Sequence, residues 1–324
     1  YNGAIGPYSL FNNTTGEYNN AAGPYALYSN TTGVVNNAVG YAALYNNTSG
    51  NNNSATGPFS LFNNTTGDSN IAIGYRSLYS NTTADGNTAI GLDAMKSNTT
   101  GSYNAALGPY SLYSNTTGNY NVSSGPFALY SNTTGSFNAG LGYGALYNAT
   151  TANNNVSVGS YSLNKTTTGG NNISIGFEAG YSNQTGSGNV FLGFGAGYSE
   201  TGSNKLYIAN NSVQNLITGD FSTGWMTFGR AGLASGGIGI YGDLGARFYD
   251  DDGSNFIALV APQAVTSNLT FTLPNASGTS GQVLATNGSG TLSWVTAGLD
   301  YSTEDSGSGD NVFFGALSGN ANNG

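Results

Sequence analysis

An asparagine recurs every 17 residues from Asn2 to Asn189, and four residues after each stands a glycine, from Gly6 to Gly193. Twelve such units follow one another without insertion or deletion. A fixed short period means that one structural unit is stacked on itself, each copy burying its apolar face against its neighbours. This excludes a loop-rich globular enzyme for the first 203 residues and predicts a rod.

The second unit, Tyr18-Asn19-Asn20-Ala21-Ala22-Gly23-Pro24-Tyr25-Ala26-Leu27-Tyr28-Ser29-Asn30-Thr31-Thr32-Gly33-Val34, shows the pattern. Two residues before the glycine the side chain is small in eleven of twelve units, with Phe191 the exception. Three after it stands Ser or Ala in all twelve, then Leu in nine with Met95 in the sixth, then an aromatic in ten. Short alternation between Gly and Asn punctuation is strand-and-turn grammar. Seventeen residues suit one coil of a β-solenoid, and coils about 4.8 Å apart would give a rod of roughly 55 to 60 Å. The Asn2, Asn19, Asn36 and Asn53 column suits turns in which amides bond backbone or one another as a ladder. The Gly6, Gly23, Gly40 and Gly57 column suits corners of positive φ or close chain approach.

Composition narrows the function classes. Charged residues make up 6%, against roughly 25% in ordinary soluble domains. Register in the apolar columns argues against disorder. The net charge of −9 gives counterion release no purchase, so nucleic acid is not an expected partner. Cys and His are absent, which removes thiol and imidazole chemistry and the usual zinc ligands. No cofactor is expected. No run of about 18 apolar residues exists, so membrane insertion is not expected. The chain opens at Tyr1, part-way into a repeat and without Met, as a processed form or a piece of a longer product would.

The unit at Asn87 to Gly101, Asn-x-Ala-Ile-Gly-x-x-Ala-Met-x-x-Asn-Thr-Thr-Gly, resembles repeats of phage-type tail fibres. Its Asn-x-Ala-Ile-Gly core is similar to the head repeats of trimeric autotransporter adhesins, whose shorter units form parallel β-rolls assembled as homotrimers. The resemblance covers residues 1 to about 203. Residues 204–228, with Lys205 to Asn210 as a closing strand, are expected to be cap and connector. Residues 229–298 resemble a small β-module of tail-fibre and tail-spike proteins. The shared elements are Phe248-Tyr249-Asp250 with Asp252-Gly253-Ser254-Asn255, Thr272-Leu273-Pro274, and Gly281-Gln282-Val283-Leu284 continuing to Trp294. Residues 299–324 are read as a linker and the start of a further repeat block, since Asp310 to Gly315 echoes Gly188 to Gly193. The expected fold class is all-β: a parallel β-solenoid or β-roll of 17-residue coils followed by a small antiparallel β-module, as a homotrimer.

Asp250 and Asp252 are weak candidates for a cation, the alternative being an Asx-rich hairpin turn. Asn13, Asn30, Asn47, Asn64, Asn81, Asn98, Asn115 and Asn132 each precede x-Ser/Thr and are possible glycosylation sites. At a spacing of about 4.8 Å a glycan at every coil would not fit, which favours a turn-and-ladder role. Thr14, Thr31 and Thr48 stand in turn pairs rather than in a flat ice-binding array. Tyr28, Tyr45, Tyr79, Tyr113, Tyr130 and Tyr147 suit packing between coils or chains. No paired carboxylates at a repeated offset suggest glycoside hydrolysis. The expectation is a non-enzymatic extracellular fibre or adhesin, on a virion or cell surface. Its partners would be further copies of itself and cell-surface glycans or another receptor. The alternatives are an extracellular filament or matrix subunit polymerising end to end and, less favoured, a polysaccharide-degrading spike.

Overall fold

The computed structural model describes residues 1–213, 215–228, 246–249, 256–259, 273–287, 289 and 291–296. The chain divides into two compact units, Tyr1–Ile238 and Gly239–Gly324. The described residues form an all-β chain without a helix, and none offers a helix that could cross a membrane.

The first unit is a parallel β-solenoid of twelve coils. Each coil contributes one three-residue strand, beginning with β1 (Gly3–Ile5) and β2 (Asn20–Ala22) and recurring every 17 residues to β12 (Val190–Leu192). Neighbouring strands pair parallel with equivalent residues side by side, Ala4 on Ala21 and Ala21 on Ala38. Alternation along the strand buries the central residue and turns its two neighbours outward. Ala21, Ala38, Ala55, Ala72 and their successors therefore line the interior, facing the Leu27, Leu44, Leu61 and Leu78 column across the coil. The core is one small and one large side chain wide, which is why the sequence keeps those two columns so strictly.

The remaining fourteen residues of each coil are turn. In nearly every coil four of them have positive φ: the Tyr8, Leu10 and Tyr18 columns sit near +50 to +60°, and the Gly6 column lies between 109 and 139°. L-residues resist this left-handed region by about 1–2 kcal/mol each. The gain is hydrogen bonding. Switching hand along the chain rotates successive peptide planes up and down the rod. Thus Tyr25 donates backward to the Pro7 carbonyl (2.9 Å), while Leu27 donates forward to the Ala43 carbonyl (3.0 Å). Gly23 donates backward to Ile5 (2.8 Å) and Asn20 forward to Asn36 (2.8 Å). A narrow coil with a dry interior needs its peptide groups paired in this way.

Val35 is the least suited residue in this scheme, since it is β-branched at φ 59° and half exposed. The same column carries Asn52, Asn154 and Asn171, and Gly at 86 and 188. We expect Val35→Asn to stabilise the solenoid by about 1 kcal/mol through relief of that strain. Chemical denaturation of the whole chain measures it, and an unchanged or lowered midpoint would refute the strain account.

The far end is built differently. The Leu column gives way to Gly180 and Gly197, and Phe191 takes the space, its ring lying where a Cβ on either glycine would stand. Phe191 is fully buried and its ring centroid is 6.0 Å from that of Tyr207. The sequence exception is thus a compensated exchange of large and small. The last step is one residue short: β13 (Lys205–Ala209) pairs parallel with β12, Val190 opposite Leu206. Strands β14 (Asn215–Asp220) and β15 (Trp225–Phe228) then reverse to antiparallel pairing. The single parallel sheet ends in a meander.

In the second unit, β16 (Ala246–Tyr249) and β17 (Phe256–Leu259) pair antiparallel, as do β18 (Gln282–Thr286) and β19 (Leu292–Thr296). Asn287 Oδ1 closes the second hairpin by accepting the N–H groups of Ser289 (2.9 Å) and Thr291 (3.1 Å). Trp294 Nε1 donates to the Ala276 carbonyl at 2.8 Å. Asp250 and Asp252, Thr272 of the Thr-Leu-Pro element and the block 299–324 lie outside the described residues.

Candidate functional site

Polar side chains in this rod serve first as spacers between coils. In the Asn2 column each Oδ1 accepts the N–H of the asparagine one coil on, as from Asn19 (2.9 Å), and each Nδ2 donates to a carbonyl of its own coil, as Asn19 to Gly33 (2.8 Å). Asn36 and Asn53 repeat both bonds, and all three are buried. The Gly6 column lies so close to the next coil that a Cβ on Gly23, Gly40 or Gly57 would stand 2.6 to 2.8 Å from its nearest backbone atom there.

A second ladder runs through the sequon asparagines. Asn30 Nδ2 donates to Asn13 Oδ1 (2.8 Å) and to the Gly33 carbonyl (3.0 Å), and the same pair of bonds recurs at Asn47, Asn64, Asn81, Asn98, Asn115 and Asn132. From Asn30 to Asn132 these residues have no solvent exposure, and Asn13 is half-buried with its amide on Gly16. The geometry favours the turn-and-ladder role of these sequons over glycosylation: the amide nitrogens point into the turn, and a folded coil offers no room for a glycan there. The Thr14 column is also occupied, each hydroxyl donating to the next coil's carbonyl from Thr14 to Thr167. One further feature was not foreseen from sequence. Asn51, Asp68, Asp85, Ser102, Asn119, Ser136 and Asn153 form a third column whose side-chain oxygens accept backbone N–H groups of the preceding coil.

The second ladder breaks at Ala149 and Thr166. Asn132 Oδ1 is left buried without a partner because no amide follows it, and Asn183 Oδ1 is orphaned the same way before Glu200. Ala149→Asn alone would satisfy Asn132 and move the orphan up one coil. Ala149→Asn with Thr166→Asn would join the ladder through to Asn183 and remove one orphan. We expect the double variant to gain about 1–3 kcal/mol and the singles far less, a non-additive pattern. A double-mutant cycle in denaturant measures it, and additive effects would refute the ladder account.

The surface carries aromatic stacks along the axis. Phe11, Tyr28, Tyr45, Phe62 and Tyr79 stack in sequence at 5.0 to 5.5 Å between centroids. Tyr113, Tyr130 and Tyr147 resume at 5.0 to 5.2 Å. Between them stands Lys96, whose Nζ leans over the Tyr113 ring (5.4 Å) and reaches its hydroxyl (3.3 Å). The neighbouring column, aromatic in six of its twelve coils, carries Arg76 and Asp93 beside this break. Arg76 lies over the Tyr75 ring (4.7 Å) and donates through Nε and Nη2 to the buried Asp93, each at 2.8 Å. The hydrogen bond to Asp93 raises the Arg76 pKa above its ordinary value. Phe59, Tyr75, Arg76, Tyr79 and Lys96 enclose a pocket of about 320 Å³. Coils 1 to 12 carry only one other cation, Lys165.

A smaller pocket of about 200 Å³ lies at the cap, lined by Tyr198, Glu200, Tyr207 and Asn215 among others. Burial, with the hydrogen bond to Glu200, pushes the Tyr207 hydroxyl up to about 12. Burial would raise Glu200, but the bonds from the Tyr207 hydroxyl and the Gly202 and Thr201 amides outweigh it and hold the carboxyl low. Lys205 and Asp220 pair at 2.6 Å across β13 and β14. These groups hold the reversal together. Among the described residues no group of three Asp or Glu side chains is placed to hold a metal. Comparison of the chain with protein-family models, with curated proteins and with solved structures gives no match.

Proposed function

We propose that this chain is a structural, non-enzymatic part of an extracellular fibre or adhesin, associating side by side as a homotrimer and providing reach and attachment at a virion or cell surface. The observation that carries this reading is an uncharged apolar stripe along the sheet face. The two outward columns of the strands and the column after the glycine contain no charged residue in any of twelve coils. Ile5, Val39, Ile73, Ile90, Leu107, Leu141 and Ile175 run along it, flanked by exposed Tyr41, Tyr75, Leu92, Tyr143, Phe177 and Phe194.

Exposed apolar surface of this extent usually marks an interface. Twelve coils about 4.8 Å apart, each offering five residues of about 3.3 Å, make a face on the order of 900 Å². A stable interface buries ~800 Å² per partner. A second copy matches the stripe in axial period, and leaving charge off it avoids the repulsion that two chains of net charge −9 would otherwise feel there. The resemblance to tail-fibre and adhesin repeats supports three chains and the attachment role.

Solution mass with electron microscopy of the purified chain tests the reading. Trimeric rods of finite length are expected. A monomer at micromolar concentration would overturn the assembly claim, and an indefinite thread with one chain per layer would make the protein a filament subunit instead.

A further inference from the structure

We propose that the pocket formed by Phe59, Tyr75, Arg76, Tyr79 and Lys96 is a binding site for a carboxylated sugar residue of a surface polysaccharide. The inference rests on the attachment reading above and names its ligand class. The first argument is broken symmetry. A rod of equivalent coils needs no unique feature, and aromatic stacking would serve at Lys96 as it does in the coils on either side. Instead, coil six replaces a ring of the stacked column by Lys96, and in the adjacent column Arg76 and Asp93 stand side by side as a two-bond ion pair. The stack stops at Tyr79, which leaves one ring face without an aromatic neighbour on the Lys96 side.

The second argument is the chemistry of the walls. Phe59 and Tyr79 offer apolar ring surface, which suits the C–H faces of a pyranose, while the Tyr75 ring backs the Arg76 guanidinium. Asp93 takes two of the five guanidinium N–H groups of Arg76 and fixes its plane against the Tyr75 ring. The remaining N–H groups and the Lys96 ammonium, both only part-buried, are donors for an anion. The buried carboxylate serves to orient Arg76 and leaves a local charge of one positive unit. That fits a single carboxylate better than a phosphodiester chain, which would want several neutralising contacts. The site lies within a chain of net charge −9, so the attraction is local and the ring contacts must supply the rest.

Isothermal titration of the full chain with trigalacturonic acid tests the site, with a neutral trisaccharide and inorganic phosphate as comparison probes. Binding of the acidic trisaccharide is expected, weakening as salt rises, with at least tenfold lower affinity for the neutral sugar and for phosphate. Lys96→Gln should lower the affinity about tenfold, whereas the distant Lys165→Gln should leave it unchanged. Equal binding of the neutral trisaccharide, equal binding of phosphate, no heat from trigalacturonic acid at millimolar concentration, or full affinity in a folded Lys96→Gln chain would each overturn the proposal. If Lys96→Gln fails to fold, the comparison among the three probes on the native chain still decides. A trimeric rod that ignores the acidic trisaccharide would overturn the pocket alone, whereas a monomer that binds it would overturn the fibre assembly alone.

Discussion

Replacing Gly159 by Ala should destabilise the solenoid by about 2 to 5 kcal/mol. Two independent costs meet at this atom. The backbone sits at φ 126°, and an added Cβ would stand 2.5 Å from the Gly176 carbonyl oxygen and 2.6 Å from its carbon. A non-glycine residue in such a conformation costs about 1–3 kcal/mol, and forcing atoms into a packed contact costs a similar amount. Neither can relax locally, because the coils on both sides hold the chain at one spacing through parallel hydrogen bonds. Gly118→Ala provides the comparison. Its column already accepts Ala84 and Ala152 between glycines, and its φ is not positive. An added Cβ would still stand 2.3 Å from the Gly135 carbonyl oxygen, so the contact cost alone, about 1–3 kcal/mol, is expected there. Denaturant midpoints for both variants decide the matter, and equal losses would mean that steric contact, rather than backbone hand, governs the glycine columns.

Asn104→Ala should cost about 3 to 5 kcal/mol. Asn104 is almost fully buried. Its Oδ1 accepts from the Asn121 backbone N–H (2.9 Å) and the Asn121 side chain (3.1 Å), while its Nδ2 donates to the Gly118 carbonyl (2.9 Å). Truncation would leave a buried N–H and a buried carbonyl without partners, at about 1–3 kcal/mol each. Asn37 is the control, since it only accepts a bond from Asn20 on the outer face. Asn37→Ala should fall within about 0.5 kcal/mol. The two substitutions are chemically the same, so a similar loss from both would show that the buried ladder adds nothing beyond side-chain bulk. Hydrogen exchange at the Asn121 amide supplies a local reading of the same loss.

Much of this architecture was legible because stacking writes itself into the sequence as columns. The Ala21 and Leu27 columns identified the interior, and the Asn2 and Gly6 columns identified tight turns, because each has only one side chain that fits. Phe191 was visible as an exception, but its reason lay with Gly180 and Gly197, eleven residues before it and six after it. What the sequence concealed is the direction of the side chain at Asn30. An Asn-Thr-Thr turn is ordinarily wet, and only the coil's curvature sends that amide inward to Asn13 and Gly33. The left-handed backbone at Leu27 and Tyr25 was also concealed. Intrinsic preference argues against it for both residue types, and the hydrogen bonds that compensate belong to neighbouring coils. The pocket at Lys96 could have been sought as the one charged interruption of an aromatic column, although only the fold brings Arg76 and Asp93 beside it.

The alternating up-and-down pairing of peptide groups has a mechanical consequence. Those bonds lie along the rod, so tension applied end to end loads them in series, and the coils peel one after another. Each of the eleven interfaces between coils carries nearly the same set, so no single interface is a designated weak link within the repeat. Every release would free 17 residues, or roughly 50 Å of slack. A tether made this way yields in small equal steps and dissipates a sudden pull, instead of holding rigidly until it snaps.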